Sequence, residues 1–119
     1  MKLLATECTF DESTDEDGAH VWFADRTQNP VRYFTLYREP DVSEESVYFE
    51  RDDQKWGGYG KACDVELKIN LLIITLDAEV AHFLDTSPVI EVQFSLPRED
   101  VLKLKTCLIA ILGGHHVKQ

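Results

Sequence analysis

The sequence predicts an α+β domain, a mainly antiparallel, twisted sheet of six or seven strands packed on a C-terminal helix. Three observations carry that prediction. Short segments rich in aromatic and β-branched residues recur between clusters of turn formers along most of the chain. Val65, Leu67 and Ile69 alternate with Asp64, Glu66 and Lys68, and Leu71–Leu76 follows, apolar on both faces as a central strand is. Val101, Leu104, Leu108 and Ile111 then recur at the three-and-four spacing of one helix face. The connections between predicted strands are mostly too short for parallel crossovers, so the sheet is expected to be antiparallel.

The elements follow in order. A first strand over residues 2–10 enters an acidic loop, Asp11 to Gly18, made of turn formers. His20 to Asp25 is a strand with Val21 and Phe23 on one face. Thr27-Gln28-Asn29-Pro30 turns the chain into the strand Val31–Arg38, and after Glu39-Pro40-Asp41 comes Ser46–Arg51. Asp52 to Gly60 reads as a loop. Asn70 turns Val65–Ile69 into Leu71–Leu76, the predicted centre of the sheet. Asp77 can cap a short helix over Ala78–Leu84. After Ser87-Pro88, Ile90, Val92, Phe94 and Leu96 face inward while Glu91, Gln93 and Ser95 face out. Pro97 opens the last helix, with Glu99 and Asp100 where its dipole favours acids. Leu102, Cys107 and Leu112 widen its apolar stripe, and Gly113-Gly114 stop it. His115-His116 reads as a frayed tail. Nothing repeats and no linker divides the chain, so residues 1–119 are expected to form one domain.

Charge is distributed unevenly. Residues 1–53 carry 14 acidic and 5 basic side chains, net −9, whereas residues 54–119 carry 8 and 7, net −1. That crowding suits a cationic partner and repels nucleic acid and anionic membranes. Arg32, Tyr33, Phe34 and Tyr37 therefore do not make a nucleic-acid surface, which needs its aromatics set in a basic groove. No apolar run approaches the ~18–20 residues of a membrane span. The opening Met1–Glu7 is too short for a signal-peptide core. Three cysteines, Cys8, Cys63 and Cys107, cannot all pair within one chain, so free thiols in a reducing cytoplasm are expected.

The candidate chemical motifs fail one by one. Placing Gly18 at position 6 of an EF-hand puts Ala24 where the bidentate Glu belongs, between strand-like flanks. Trp56-Gly57-Gly58-Tyr59-Gly60-Lys61 lacks both the spacing and the Ser/Thr of a phosphate loop. It reads instead as a tight connection whose glycines take positive φ. His115-His116 lacks the one-turn spacing of a preformed metal site. His20 and His82 are single. Cys107 falls on the helix's apolar stripe and Cys8 and Cys63 in strands, without a histidine to activate them. The dense carboxylates lie in loops, where water keeps them ionised, while general-acid work needs burial. No catalytic residue, metal or cofactor is expected.

From Tyr33 onward the order of features resembles the immunity-protein-10 family of bacterial polymorphic-toxin systems. The resemblance rests on Tyr33-Phe34-Thr35-Leu36-Tyr37-Arg38 and on Val47-Tyr48-Phe49-Glu50-Arg51-Asp52-Asp53-Gln54, followed by Gly57-Gly58-Tyr59-Gly60. The strand pair Val65–Ile69 and Leu71–Asp77 and the final strand and helix over Pro88–Leu112 complete it. Glu50-x-x-x-Gln54 ahead of the glycines is its most specific part, and the first ~30 residues carry none of it. The resemblance implies a small cytoplasmic protein that binds and neutralises a cognate toxin domain, often a nuclease, with no catalytic residues to transfer.

Exposure and charge alone nominate the partner-binding residues: Glu44, Glu45, Asp52 and Asp53 for steering a basic toxin, and Trp56 and Tyr59 as aromatic anchors. The competing reading is a non-enzymatic structural or regulatory module, with a homodimer paired through an open sheet edge as its simplest form. A small enzyme ranks third, for want of a nucleophile and base.

Overall fold

The computed structural model describes residues 1–12, 18–40 and 46–119. Strands β1 (Lys2–Leu4), β2 (Glu7–Asp11), β3 (Ala19–Asp25), β4 (Arg32–Arg38), β5 (Val47–Arg51) and β6 (Asp53–Gly60) fill the N-terminal half. Then come β7 (Asp64–Leu67), β8 (Leu71–Thr75), helix α1 (Ala78–Phe83), β9 (Val89–Gln93), helix α2 (Arg98–Leu112) and β10 (Val117–Lys118). No helix among the described residues is long and apolar enough to cross a membrane.

The class is α+β and mostly antiparallel, with the C-terminal helix in place, but the single predicted sheet is two. One is a five-stranded antiparallel meander ordered β2-β3-β4-β5-β6, and the other is ordered β1-β9-β8-β7-β10. In the second, β8 is central as expected, and the two ends of the chain add β1 parallel to β9 and β10 parallel to β7. The predicted strand over residues 2–10 is where the sheets part. The Ala5 amide donates to Gln93 O of one sheet at 2.8 Å, and the next amide, Thr6, donates to Ala24 O of the other at 2.8 Å. Inward residues change phase at that point, from Leu3 and Ala5 to Cys8 and Phe10.

Both sheets turn their apolar faces to a common core. Val21, Phe23, Phe34, Leu36 and Phe49 from the first meet Leu67, Leu72, Ile74, Ile90 and Val92 from the second, all 2% exposed or less. Helix α2 adds Leu104, Leu108 and Ile111, fully buried, with Cys107 beside them at 3%. Pro97 precedes the helix as its N-cap residue, Glu99 and Asp100 fill the first turn, and Gly113 at φ 94 ends it with its amide on Ile109 O. Asp77 caps α1 by accepting the Glu79 amide at 3.1 Å. Two predicted inward residues turn out: Leu102 is 53% exposed on the far side of α2, and Ile69 is 73% exposed in the turn beyond β7.

The predicted loop from Asp52 to Gly60 is the edge strand β6, paired with β5 across a bulge at Glu50/Arg51. Its glycines do not take positive φ; that conformation falls to Asp52 at φ 59. Gly58 and Gly60 serve instead to admit helix α1. A Cβ on Gly60 would lie 2.4 Å from Val80 Cγ2, and one on Gly58 3.3 Å from the Phe83 ring. The expected frayed tail is ordered too: His115 and His116 form a 3₁₀ turn that leads into β10, and His116 Nδ1 lies 2.7 Å from Asp64 Oδ1. A two-residue parallel pairing carries no periodicity for a sequence reading to find.

Candidate functional site

Strand alternation dictates what the β2–β6 meander shows to its outer side. Each strand sends its small or apolar residues inward, so Cys8, Phe10, Val21, Phe23, Phe34, Leu36, Val47 and Phe49 join the core. The positions between them face out: Thr9, His20, Trp22, Tyr33, Thr35, Tyr37, Tyr48, Glu50 and Tyr59. The register lines these up in two neighbouring rows. Asp11, His20, Tyr37, Tyr48 and Tyr59 stand opposite one another across all five strands, and Thr9, Trp22, Thr35, Glu50 and Gly57 form the next row. Both helices belong to the inner side, so no helix among the described residues covers these rows. An outer sheet face is ordinarily polar; this one holds five aromatic rings.

The rings are tied to one another and to carboxylates. Tyr48 and Tyr59 meet edge to face with centroids 5.2 Å apart, and Trp22 and Tyr33 lie 6.3 Å apart. The Tyr33 and Tyr48 hydroxyls both donate to Glu50, one to each carboxylate oxygen, and the Tyr59 hydroxyl donates to Glu39. Burial, then the bond to Glu50, pushes the Tyr33 phenol well above its ordinary value. For Tyr48 the bond to Glu50 comes first and burial second, taking it up to about 12. The bond to Glu39 raises Tyr59. These phenols therefore stay protonated and act as donors at neutral pH. Between the two rows runs a shallow groove lined by Thr9, His20, Trp22, Thr35, Tyr37 and Tyr48.

The sequence-nominated residues divide. Glu44 and Glu45 lie outside the described residues. Tyr59, 52% exposed, belongs to the outer face. Trp56 does not, because residues three apart on a strand point to opposite sides. Half-buried on the inner side, it carries the Arg51 guanidinium 3.9 Å and the Lys55 ammonium 4.5 Å from its ring centre. Arg51 in turn donates to Leu84 O at 2.5 Å and Asp85 O at 2.8 Å, fastening the end of α1. Asp52 sits inside a knot of donors, accepting the Tyr33 amide at 3.0 Å and pairing with Arg51 at 3.0 Å and Arg32 at 3.1 Å. Burial would raise its carboxyl, but the bonds to Arg32, the Tyr33 amide and Arg51 outweigh that and hold it below the ordinary carboxylate range. Asp53 is exposed and accepts the Lys55 amide. Burial also pushes the thiols up, Cys8 and Cys107 to about 11 and Cys63 to about 12, so none is a thiolate at neutral pH. Among the described residues no three His, Cys, Asp or Glu side chains converge as a metal site requires.

Sequence reasoning missed His20, Trp22, Tyr33, Tyr37, Tyr48 and Glu50 as a group. The signal lay in the spacing: each sits one position away from an inward residue, where polar side chains belong. Strand register then brings together rings that are far apart along the chain.

Fold and face together define a small α+β protein with an aromatic outer sheet face. Residues 4–102 match the family model described as Immunity protein 10, and the chain belongs to that family. The match begins well before Tyr33 and so takes in β2, β3 and their part of the aromatic face, which the resemblance read from the sequence left out. Membership implies an immunity-protein role in toxin neutralisation. The chain matches no curated protein and no solved structure.

Proposed function

We propose that this protein neutralises a cognate toxin domain by binding it, with no chemical step of its own, through the outer face of the β2–β6 sheet. The observation that carries the reading is the row from Asp11 through His20, Tyr37 and Tyr48 to Tyr59, which crosses every strand of that sheet and carries rings on four of them. Aromatic side chains dominate interface hot spots because they bury much area at small entropic cost. The net charge of −9 over residues 1–53 suits a basic toxin surface, and surfaces that hold nucleic acid are basic, so a nuclease is the favoured toxin. A cytoplasmic location fits a protein that must meet such a toxin before it reaches its substrate, and neither nucleic acid nor membrane is a partner.

In this reading Tyr59 is a direct contact. Glu44, Glu45 and Asp53 steer association by charge. Asp52 and Trp56 act behind the surface, Asp52 holding the β4–β5–β6 corner and Trp56 holding Arg51 against α1.

The test is protection. Cells expressing the toxin domain encoded beside this protein should survive when it is co-expressed. Tyr37→Ala, at the middle of the row, should weaken binding by ~2 kcal/mol or more, as loss of a central aromatic anchor does. Full affinity in Tyr48→Ala and Tyr37→Ala alike, in folded protein, would remove the face from the interface.

A further inference from the structure

The groove on the outer face has aromatic walls and a carboxylate at its edge. Thr9 and Thr35 contribute short side chains between the rows, with Trp22 in one row and His20, Tyr37 and Tyr48 in the other. Glu50 borders it, next to Thr35 in its row and bonded to the Tyr48 hydroxyl. That carboxylate is distinguished by two phenolic donors, one on each oxygen, and by its place among the rings. Glu7 pairs with Arg26, Asp52 with Arg32 and Arg51, Glu91 with Lys2, and Asp64 with His116. Glu50 is held by two neutral phenols, and among the described residues no basic nitrogen lies within ion-pairing distance of it. Its neighbour Arg51 turns to the other side of the sheet, to Trp56 and the end of α1.

Two phenols orient a carboxylate without cancelling its charge. A carboxylate accepts about four hydrogen bonds, so half of that capacity remains. In water this costs nothing. Once a partner closes over the face, an uncompensated carboxylate among rings becomes costly, and the partner must bring a cation to it. The walls indicate which cation. A guanidinium is planar, is weakly hydrated, stacks on aromatic faces and donates in pairs to a carboxylate, whereas an ammonium remains a strongly hydrated point charge. Trp22 already attracts one such group, the Arg26 guanidinium 5.3 Å from its ring centre.

We infer that the groove receives an arginine side chain of the toxin domain, stacked among Trp22, Tyr37 and Tyr48 and donating to Glu50. This rests on the outer face being the toxin-binding surface, and it adds the chemistry of the group recognised there.

Arginine amide capped with an acetyl group, and the corresponding citrulline compound as its neutral isostere, test the groove directly by NMR titration of the labelled protein. The arginine compound should shift the Trp22 indole N–H and the Thr35 and Tyr48 amides in a saturable way, and the citrulline compound should not. Glu50→Gln removes the charge, keeps an acceptor oxygen for one tyrosine and turns an amide donor to the hydroxyl oxygen of the other, and an unchanged amide spectrum elsewhere verifies its fold. This substitution should weaken the arginine compound about tenfold or more. Equal shifts from the two compounds, no shift at Trp22, or full affinity in Glu50→Gln would overturn the inference. Protection against the toxin is scored separately. A protein that protects but leaves Trp22 unmoved by arginine keeps its immunity role and loses this groove. One that binds arginine at Glu50 but protects against no toxin keeps the groove chemistry and loses the proposed function.

Discussion

Asp52 illustrates how far a residue's neighbours can change its meaning. In the chain it is one of a cluster of acids, and an exposed carboxylate is the natural reading. In the fold it turns the β5–β6 corner at φ 59 and is the shared acceptor for Arg32, Arg51 and the Tyr33 amide. Removing it leaves two guanidinium groups and one amide short of a partner, so Asp52→Ala should cost ~1–3 kcal/mol. The pH dependence has a definite sign. The folded carboxyl lies below its unfolded value, so the unfolded state takes up the proton first. The stabilisation is therefore complete above the ordinary Asp value of ~4 and is lost as pH falls through the folded value. Urea melts at neutral and acid pH should show a smaller acid loss in Asp52→Ala than in the parent. An equal loss in both would mean that the Arg pairs contribute nothing. Trp56 and Tyr59 teach the same lesson: both are aromatic residues in one glycine-rich stretch, and only strand alternation separates the one stacked on Arg51 from the one facing solvent.

At the scale of elements, the last helix was the most legible because independent signals agree on it. Period, an acidic first turn after Pro97 and a terminal Gly113 all mark the same segment. Leu108→Ala should cost ~2–5 kcal/mol as a fully buried leucine, while Leu102→Ala, on the solvent side, should change stability by ~0.5 kcal/mol or less. Thermal or urea melts of the two variants would contradict the packing if their losses were alike. Strand β6 was illegible for the opposite reason. Glycine is the residue of turns, and three in four positions read as one; here two of them make room for Val80 and Phe83. Gly60→Ala should accordingly destabilise by ~1–3 kcal/mol, since its Cβ would have to displace the Val80 methyl or the helix itself. Little loss in the same melts would show α1 to be loosely seated.

For the molecule as a whole, topology brings together strand ends that lie far apart in the sequence. The strand ends flanking residues 13–17 and 41–45 lie at one end of the β2–β6 sheet, beside the row from Asp11 to Tyr59. By sequence those two segments contain Asp15, Glu16, Asp17, Asp41, Glu44 and Glu45. If this charge steers a basic toxin, association should slow as salt shortens the Debye length to ~10 Å at 0.1 M. Neutralising Glu44, Glu45 and Asp53 together should lower the on-rate, whereas Tyr59→Ala should raise the off-rate by loosening the formed complex. Asp52 belongs outside that set, because changing it disturbs the fold. An on-rate indifferent to salt and to the triple change would leave these acids a role in solubility alone.

The order of polarity along the chain was enough to specify the α+β class, the central place of Leu71–Leu76, the course of the last helix and the sign of the charge. Each of these depends on near neighbours in sequence, and period, caps and composition express them directly. The division into two sheets, the parallel strands at the chain ends and the aromatic face depend on which strands lie side by side. Pairing is decided by how the buried side chains of both sheets and both helices share one core, and no local pattern encodes that. Tyr37, Tyr48 and Tyr59 stand eleven residues apart in sequence yet next to one another across three strands. Only the tertiary structure turns that spacing into a surface.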